Sequence, residues 1–329
     1  MALARLVLVP VLGRAATVGA LVWIVVAVGG LGQALLTSAV VPDPDLLLRM
    51  GAGALGVGAA VAVPLGALGG VAAGLGGMAE ERAWLGLRTL GVGGRAVAAP
   101  IALFLVVVMA TWLAITHAVE PGARAWIRDA RIAAAVRVVP VEGRVVQLGG
   151  WAAAVEGGVL HFAGGEWLGF ARTWEIRPAL TGVVVALGSG EVRSTDGLSR
   201  ARFATLEMPV PMTGTAGKVH AAERTTPDLR RQLTVSAALG RDAYERWILW
   251  KRTLLPLCLL PLGLATVPLA LDRRWPVLAI VGAQVVTLWG VVRVADQWVG
   301  AVGLPGAAAA TFAVALAWCV LAWRGWVDA

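Results

Sequence analysis

Residues Ala96–Val119 read AVAAPIALFLVVVMATWLAITHAV, 24 positions with no formal charge. A bilayer hydrocarbon core about 30 Å thick takes about 20 helical residues to cross, so this run is long enough to span one. Five further charge-free runs occupy Ala15–Pro42, Met50–Ala79, Thr253–Leu271, Trp275–Val292 and Gln297–Trp323. Three precede and three follow a polar stretch of about 130 residues. Backbone groups in lipid are satisfied only inside helices or closed barrels. The expected fold class is an α-helical membrane bundle of six transmembrane helices, arranged 3+3, with an inserted water-facing domain. Residues 1–119 hold spans one to three, 120–245 the insert and a return helix, and 246–329 spans four to six.

Composition agrees. The chain is 58% hydrophobic and 15% charged, with a mean hydropathy of +0.78. The formal charge of +8 and pI near 11.0 invite a nucleic-acid reading, but the basic residues form no stripe with interleaved aromatics. Nucleic acid is excluded as a partner. Short loops set orientation through Lys and Arg. One side carries Arg5, Arg14, Arg82, Arg88, Arg95, Arg273, Arg274 and Arg324; the other has Arg49 and Arg293 among Asp43, Asp45 and Asp296. Both termini are expected in the cytoplasm and the insert outside. Arg5 and Arg14 precede a run too long for a signal peptide, and a second span follows, which makes it a retained first helix.

The insert alternates short β-branched runs with Gly-Gly, Gly-Ser-Gly and Asp-Gly turns. Strands are expected at Val136–Val141, Gly143–Leu148, Val159–Ala163, Leu180–Leu187 and Arg200–Met208. Their regular spacing suggests an all-β, jelly-roll-like domain. Thr226, as N-cap ahead of Pro227, then opens a return helix. In span two, Gly66, Gly70 and Gly74 recur every four residues, a pattern that lets helices approach closely in lipid, and Pro64 should kink the helix. Between spans two and three, residues 79–91 read as a short amphipathic helix with Glu80 and Glu81 at its start and Gly91 as its stop. Two readings of it stay open: a helix lying on headgroups, or a docking element for a cytoplasmic partner.

Catalytic signatures are missing. His117, His161 and His220 fit no metal spacing. Gly51-Ala-Gly53-Ala-Leu-Gly56 matches a dinucleotide fingerprint only formally, since it lies inside a span and follows no strand. No G-x-x-x-x-G-K-[ST] occurs, so the chain has no P-loop for ATP. No enzyme activity, metal or cofactor is expected. Asp296 and Arg293 are the ionisable residues nearest a span centre and sit at the end of span five. Trp247, Trp250, Trp275, Trp298, Trp323 and Trp326 read as interface anchors.

With this architecture in place, the chain resembles the LptF/LptG (YjgP/YjgQ) permease family of the lipopolysaccharide exporter. The likeness is carried by Val63-Pro64-Leu65, by Met78–Pro100 with Leu87–Val92 and Ala99-Pro100, and by Glu120–Ala123. It continues through Leu187–Gly190 with Arg202-Phe203, Thr226–Leu229, Lys251–Pro256 and Val267-Pro268-Leu269. Where the family places acids, this chain has Ala83 and Ile248, and nothing between Arg14 and Asp43 is charged. The resemblance implies one permease half of an ABC-type lipid exporter. A second LptF/LptG-like subunit would complete the cavity, and an LptB-type ATPase dimer would grip the short helix through Glu80, Glu81, Trp84, Leu87 and Arg88. Lipopolysaccharide would enter between spans one and five and leave over the β domain to LptC-type and LptA-type bridge proteins. Trp23, Gln33, Trp289 and Asp296 are assigned to the lipid path from their helices. The uncharged first span keeps open a same-family permease for a different lipid or glycolipid. A membrane scaffold with a binding domain and no transport is the alternative from another class.

Overall fold

A computed structural model describes residues 2–36, 43–136, 142–148, 151–179, 182–211, 218–238, 242–271 and 276–328. The first half is helical: α1 (Ala2–Leu36), α2 (Pro44–Glu80), α3 (Ala83–Thr89), α4 (Gly94–Ala114), a π-helical segment (Ile115–Val119) and α5 (Glu120–Val136). Six strands follow: β1 (Val145–Leu148), β2 (Trp151–Glu156), β3 (Val159–Gly164), β4 (Trp167–Ala179), β5 (Gly182–Ser194) and β6 (Arg200–Pro211). The chain closes with α6 (Lys218–Glu223), α7 (Thr226–Ala238), α8 (Ala243–Leu271) and α9 (Val277–Asp328). Six helical stretches are long and apolar enough to cross a membrane, three on each side of the sheet in sequence. The protein is a six-span helical bundle with an inserted β domain. Gly303, at φ 72°, breaks α9 into spans five (Ala279–Val299) and six (Gly303–Ala322).

Two compact units divide the chain differently from the linear reading. The first holds Met1–Ala27, Leu55–Gly122 and Arg224–Ala329; the second holds Val28–Ala54 and Ala123–Glu223. The return helix α7 thus belongs with the bundle, and the β unit includes Val28–Ala54 from the ends of the first two long helices.

In the bundle unit, spans two and four are the most enclosed, with 61% and 67% of their apolar windows buried. The expected Gly66–Gly70–Gly74 stripe meets span one backbone to backbone. A Cβ on Gly66 would lie 2.8 Å from Gly19 Cα, one on Gly74 2.8 Å from Val11 Cα, and one on Gly70 would overlap Ala15. Gly263 of span four similarly admits the Leu105 side chain. Around these contacts Val7, Val11, Val71, Leu75, Ile101, Leu105, Leu259 and Leu262 form the core. Pro64 lies inside α2 without ending it.

The span-three helix differs from expectation by running on past Val119. The charge-free run ends at Val119, yet helix continues through Pro121 and Gly122 as α5 to Val136. Proline removes a backbone donor and crowds the carbonyl four residues earlier, here that of His117. The π turn immediately upstream takes up the misfit: Glu120 N–H bonds to Ile115 O rather than to the carbonyl four residues back. Val136 therefore ends a helix instead of starting a strand, and the rest of that expected strand, 137–141, lies outside the described residues.

In the β unit, the six strands form one antiparallel sheet in the order β1-β2-β3-β4-β5-β6. This is a meander, where a jelly roll would require Greek-key crossings. Short hairpins explain the order: Gly157 and Gly158, both at positive φ, turn β2 into β3, and Asp196-Gly197 turns β5 into β6. Ile132 and Ala135 of α5 pack with Leu160, Phe162, Val183, Val185 and Leu187 to form this unit's core. Ser189 takes a left-handed φ of 50° between Gly188 and Gly190. The Phe203 ring on β6 fills the place of a Gly190 side chain, 2.5 Å from where its Cβ would be. That is the physical content of the Leu187–Gly190 and Phe203 pattern: a cross-strand aromatic covers a bare glycine backbone. β6 ends with Pro209 and Pro211 at the edge of the sheet.

Candidate functional site

The helix between spans two and three is shorter than the sequence suggests. Glu80 closes α2, and Arg82, at φ 59°, turns the chain before α3 begins. The left-handed turn at a non-glycine residue is a local strain held by its surroundings. At the other end Gly91 adopts φ 79°; its N–H bonds to Arg88 O at 3.0 Å and that of Val92 to Leu87 O at 3.0 Å. This glycine-terminated cap is the stop anticipated from sequence. Trp84 is buried in the bundle core and Leu87 packs half-buried against it. They anchor the helix to the bundle core. Glu80, Glu81 and Arg88 face outward, joined by Leu85 at 59% and Leu90 at 80% exposure. Those two leucines complete an outward apolar strip that the sequence assignment lacked.

A polar cluster assembles at the N-terminal end of α8. Arg252, itself buried, donates from Nη1 to Thr226 Oγ1 at 3.2 Å and from Nη2 to Arg224 O at 2.8 Å. Its carbonyl accepts from Thr116 Oγ1 at 3.0 Å, in the π segment. His117 bridges the same elements, with Nδ1 2.9 Å from Thr226 Oγ1 and Nε2 3.3 Å from Thr253 Oγ1. Thr226 Oγ1, with two lone pairs and one proton, thus joins the Arg252 guanidinium, the His117 ring and, at 3.5 Å, the His117 carbonyl. Thr226 is therefore not the cap of α7. Thr225 fills that place: its hydroxyl accepts from Asp228 N–H at 3.4 Å and donates to the Asp228 carboxylate at 2.5 Å.

One residue earlier on α8, Lys251 Nζ lies 2.7 Å from Asp296 Oδ1, and Trp247 Nε1 donates to the same oxygen at 2.7 Å. Asp296 thus lies within span five and is paired. Trp247 is completely buried here and is no interface anchor. Deeper in the bundle, Gln284 Nε2 donates to Leu262 O at 3.1 Å and its Oε1 faces Thr266 Oγ1 at 3.1 Å. The sequence carries no local signal for this pair, 18 residues apart.

The residues assigned to a lipid path are scattered. Trp23 lines an apolar groove of about 520 Å³ with Ala15, Gly19, Ala62, Gly66 and Phe104, and its Nε1 donates to Leu55 O at 2.8 Å. Neither Trp289 nor Asp296 lines that groove. Trp289 is half-buried on span five, and Gln33 belongs to the β unit. In that unit a second hollow of about 510 Å³ opens on the sheet, floored by Ala152, Ala154, Ala163, Gly169 and Phe170 and edged by Glu191 and Arg193. Arg200, hydrogen-bonded to Glu191 with Arg202 beside it, holds the Glu191 carboxyl below its usual range. Burial pushes the Glu223 carboxyl up, against the pull of Arg128 at 2.7 Å. Among the described residues no group of three or more His, Cys, Asp or Glu side chains could hold a metal ion. Against known proteins, no family model matches the chain and no curated protein aligns with it significantly.

Proposed function

We propose that this chain is a permease half of an ATP-driven lipid exporter of the LptF/LptG type, working with a second six-span subunit and a separate cytoplasmic ATPase. One observation carries the reading. A short helix between spans two and three is fixed to the bundle core by Trp84 and Leu87 while Glu80, Glu81, Leu85, Arg88 and Leu90 face outward. An ATPase that moves membrane helices needs a rigid handle, and a helix anchored by one buried tryptophan and capped at Gly91 can serve as one. In this reading α3 lies in the cytoplasm and the sheet in the periplasm of the inner membrane. The small-residue hollow on the sheet offers acyl chains an apolar surface outside the bilayer, on the way to LptC-type and LptA-type bridges. The absence of charge between Arg14 and Asp43 supports a cargo other than lipopolysaccharide as the second reading, since a phosphate-rich lipid favours cationic partners.

The experiment is co-purification with the ATPase and ATP-driven lipid release from proteoliposomes, comparing the parent chain with Glu81→Lys plus Leu85→Asp. Loss of both activities with normal folding is expected. Retention of both would refute the docking assignment. Mass spectrometry of lipid held by the purified complex identifies the cargo.

A further inference from the structure

We propose that the N-terminal turns of α8 form a two-sided clasp, of which the Lys251–Asp296 half is the releasable latch on span five. Lys251 and Arg252 are consecutive, so their side chains leave the helix about 100° apart. One turn of span four therefore serves two neighbours. Arg252 grips α7 through Thr226 and the Arg224 carbonyl, and the π segment through Thr116. Lys251 grips span five through Asp296, assisted by Trp247.

The two halves differ in what release would cost. The Arg252 residue is 7% exposed, and pulling it from its acceptors would strand a guanidinium away from water. The Lys251 and Asp296 side chains are 22% and 23% exposed; Lys251 precedes the charge-free run of span four and Asp296 lies three residues before the end of span five, where a separated charge costs less than at the bilayer centre. Both bonds to Asp296 end on Oδ1, and Trp247 can keep its bond while Lys251 lets go. What the latch covers is a small apolar contact: Ala295 and Val299 of span five pack on Trp247, together with Ala307 and Leu304 beyond the Gly303 break. The fixed half also sits on the span-three π turn, a segment type frequent at functional sites. Opening the latch frees the end of span five while Arg252 keeps spans three and four tied to α7. Its use in moving a lipid rests on the permease reading; the latch itself does not.

The test places a cysteine at Ala295, 5% exposed beneath the latch, in a Cys319→Ser background of the full chain in lipid nanodiscs. The native Cys258, fully buried in the bundle core, is the internal control. Asp296→Asn keeps the shape and the acceptor for Trp247 but removes the charge, and Lys251→Met is the companion variant. Either change is expected to raise the rate of maleimide labelling at position 295 by more than about tenfold, with Cys258 still unlabelled. Unchanged labelling at 295 in both variants would overturn the latch. Parallel exposure of Cys258 would also overturn it, because the pair would then be a general support of the bundle. The measurement uses neither ATPase nor cargo, so its failure leaves the permease reading standing.

Discussion

Gln284 Oε1 and Thr266 Oγ1 meet at 3.1 Å between spans five and four with both residues fully buried. In a bundle whose helices are as apolar as the surrounding lipid, such a bond fixes which faces meet. Interhelical hydrogen bonds in membranes contribute about 0.6 kcal/mol on average and up to about 1.7. Thr266→Val should cost about 1 kcal/mol, because the Gln284 carbonyl oxygen then loses its side-chain donor. Adding Gln284→Leu should recover part of that loss. Reversible unfolding in mixed detergent micelles measures the double-mutant cycle.

Gly70 leaves no room for a side chain beside Ala15. Gly70→Val should destabilise the contact of spans one and two by about 3 kcal/mol, at the upper end of overpacking costs. Gly77, on the same helix with open space around its Cα, should accept alanine without loss. A fluorescence-detected thermal-stability assay separates the two.

The two faces of α3 should separate stability from partner binding. Trp84→Ala empties a core position and should cost about 3 kcal/mol of bundle stability. Leu85→Asp and Leu90→Asp, on the exposed side, should leave the melting temperature unchanged and abolish ATPase association in pull-down.

Acid should loosen the β5–β6 pairing. Glu191 is held ionised by Arg200 and Arg202, so its folded pKa lies below the unfolded value. Its contribution to stability is complete above the ordinary glutamate pKa, about 4.3, and is lost as pH falls through the depressed folded value. Both arginines are mostly exposed, so the effect should be small. Thermal melts followed by the β-sheet circular dichroism signal should show a decline on acidification that Glu191→Gln reduces.

Much of this architecture is legible without coordinates because lipid is an exacting solvent. Charge-free length locates six spans, and Gly66, Gly70 and Gly74 mark the closest helix contact before any neighbour is known. Gly91 likewise announces the end of α3. Other features depend on distant partners. β2 is alanine-rich, and β4 carries Gly169 and Pro178, so neither shows the β-branched alternation that marks a strand. They pair because their neighbours supply the ladder. The end of the charge-free run at Val119 does not mark the end of helix, because a π turn ahead of Pro121 lets α5 continue. Trp84 and Leu87 share a spacing with the exposed side of α3, and only the position of the bundle decides that they turn inward. Lys251 and Asp296, 45 residues apart, have no common local pattern at all.

Pro209 and Pro211 give the last strand an unusual margin. Proline is tolerated in a ladder where its missing N–H would have pointed away from the neighbouring strand. Two teeth of the zipper are thus absent on that border, and a foreign strand would find nothing to fasten onto there. The Pro209–Pro211 end of the last strand is thereby guarded against strand-to-strand growth.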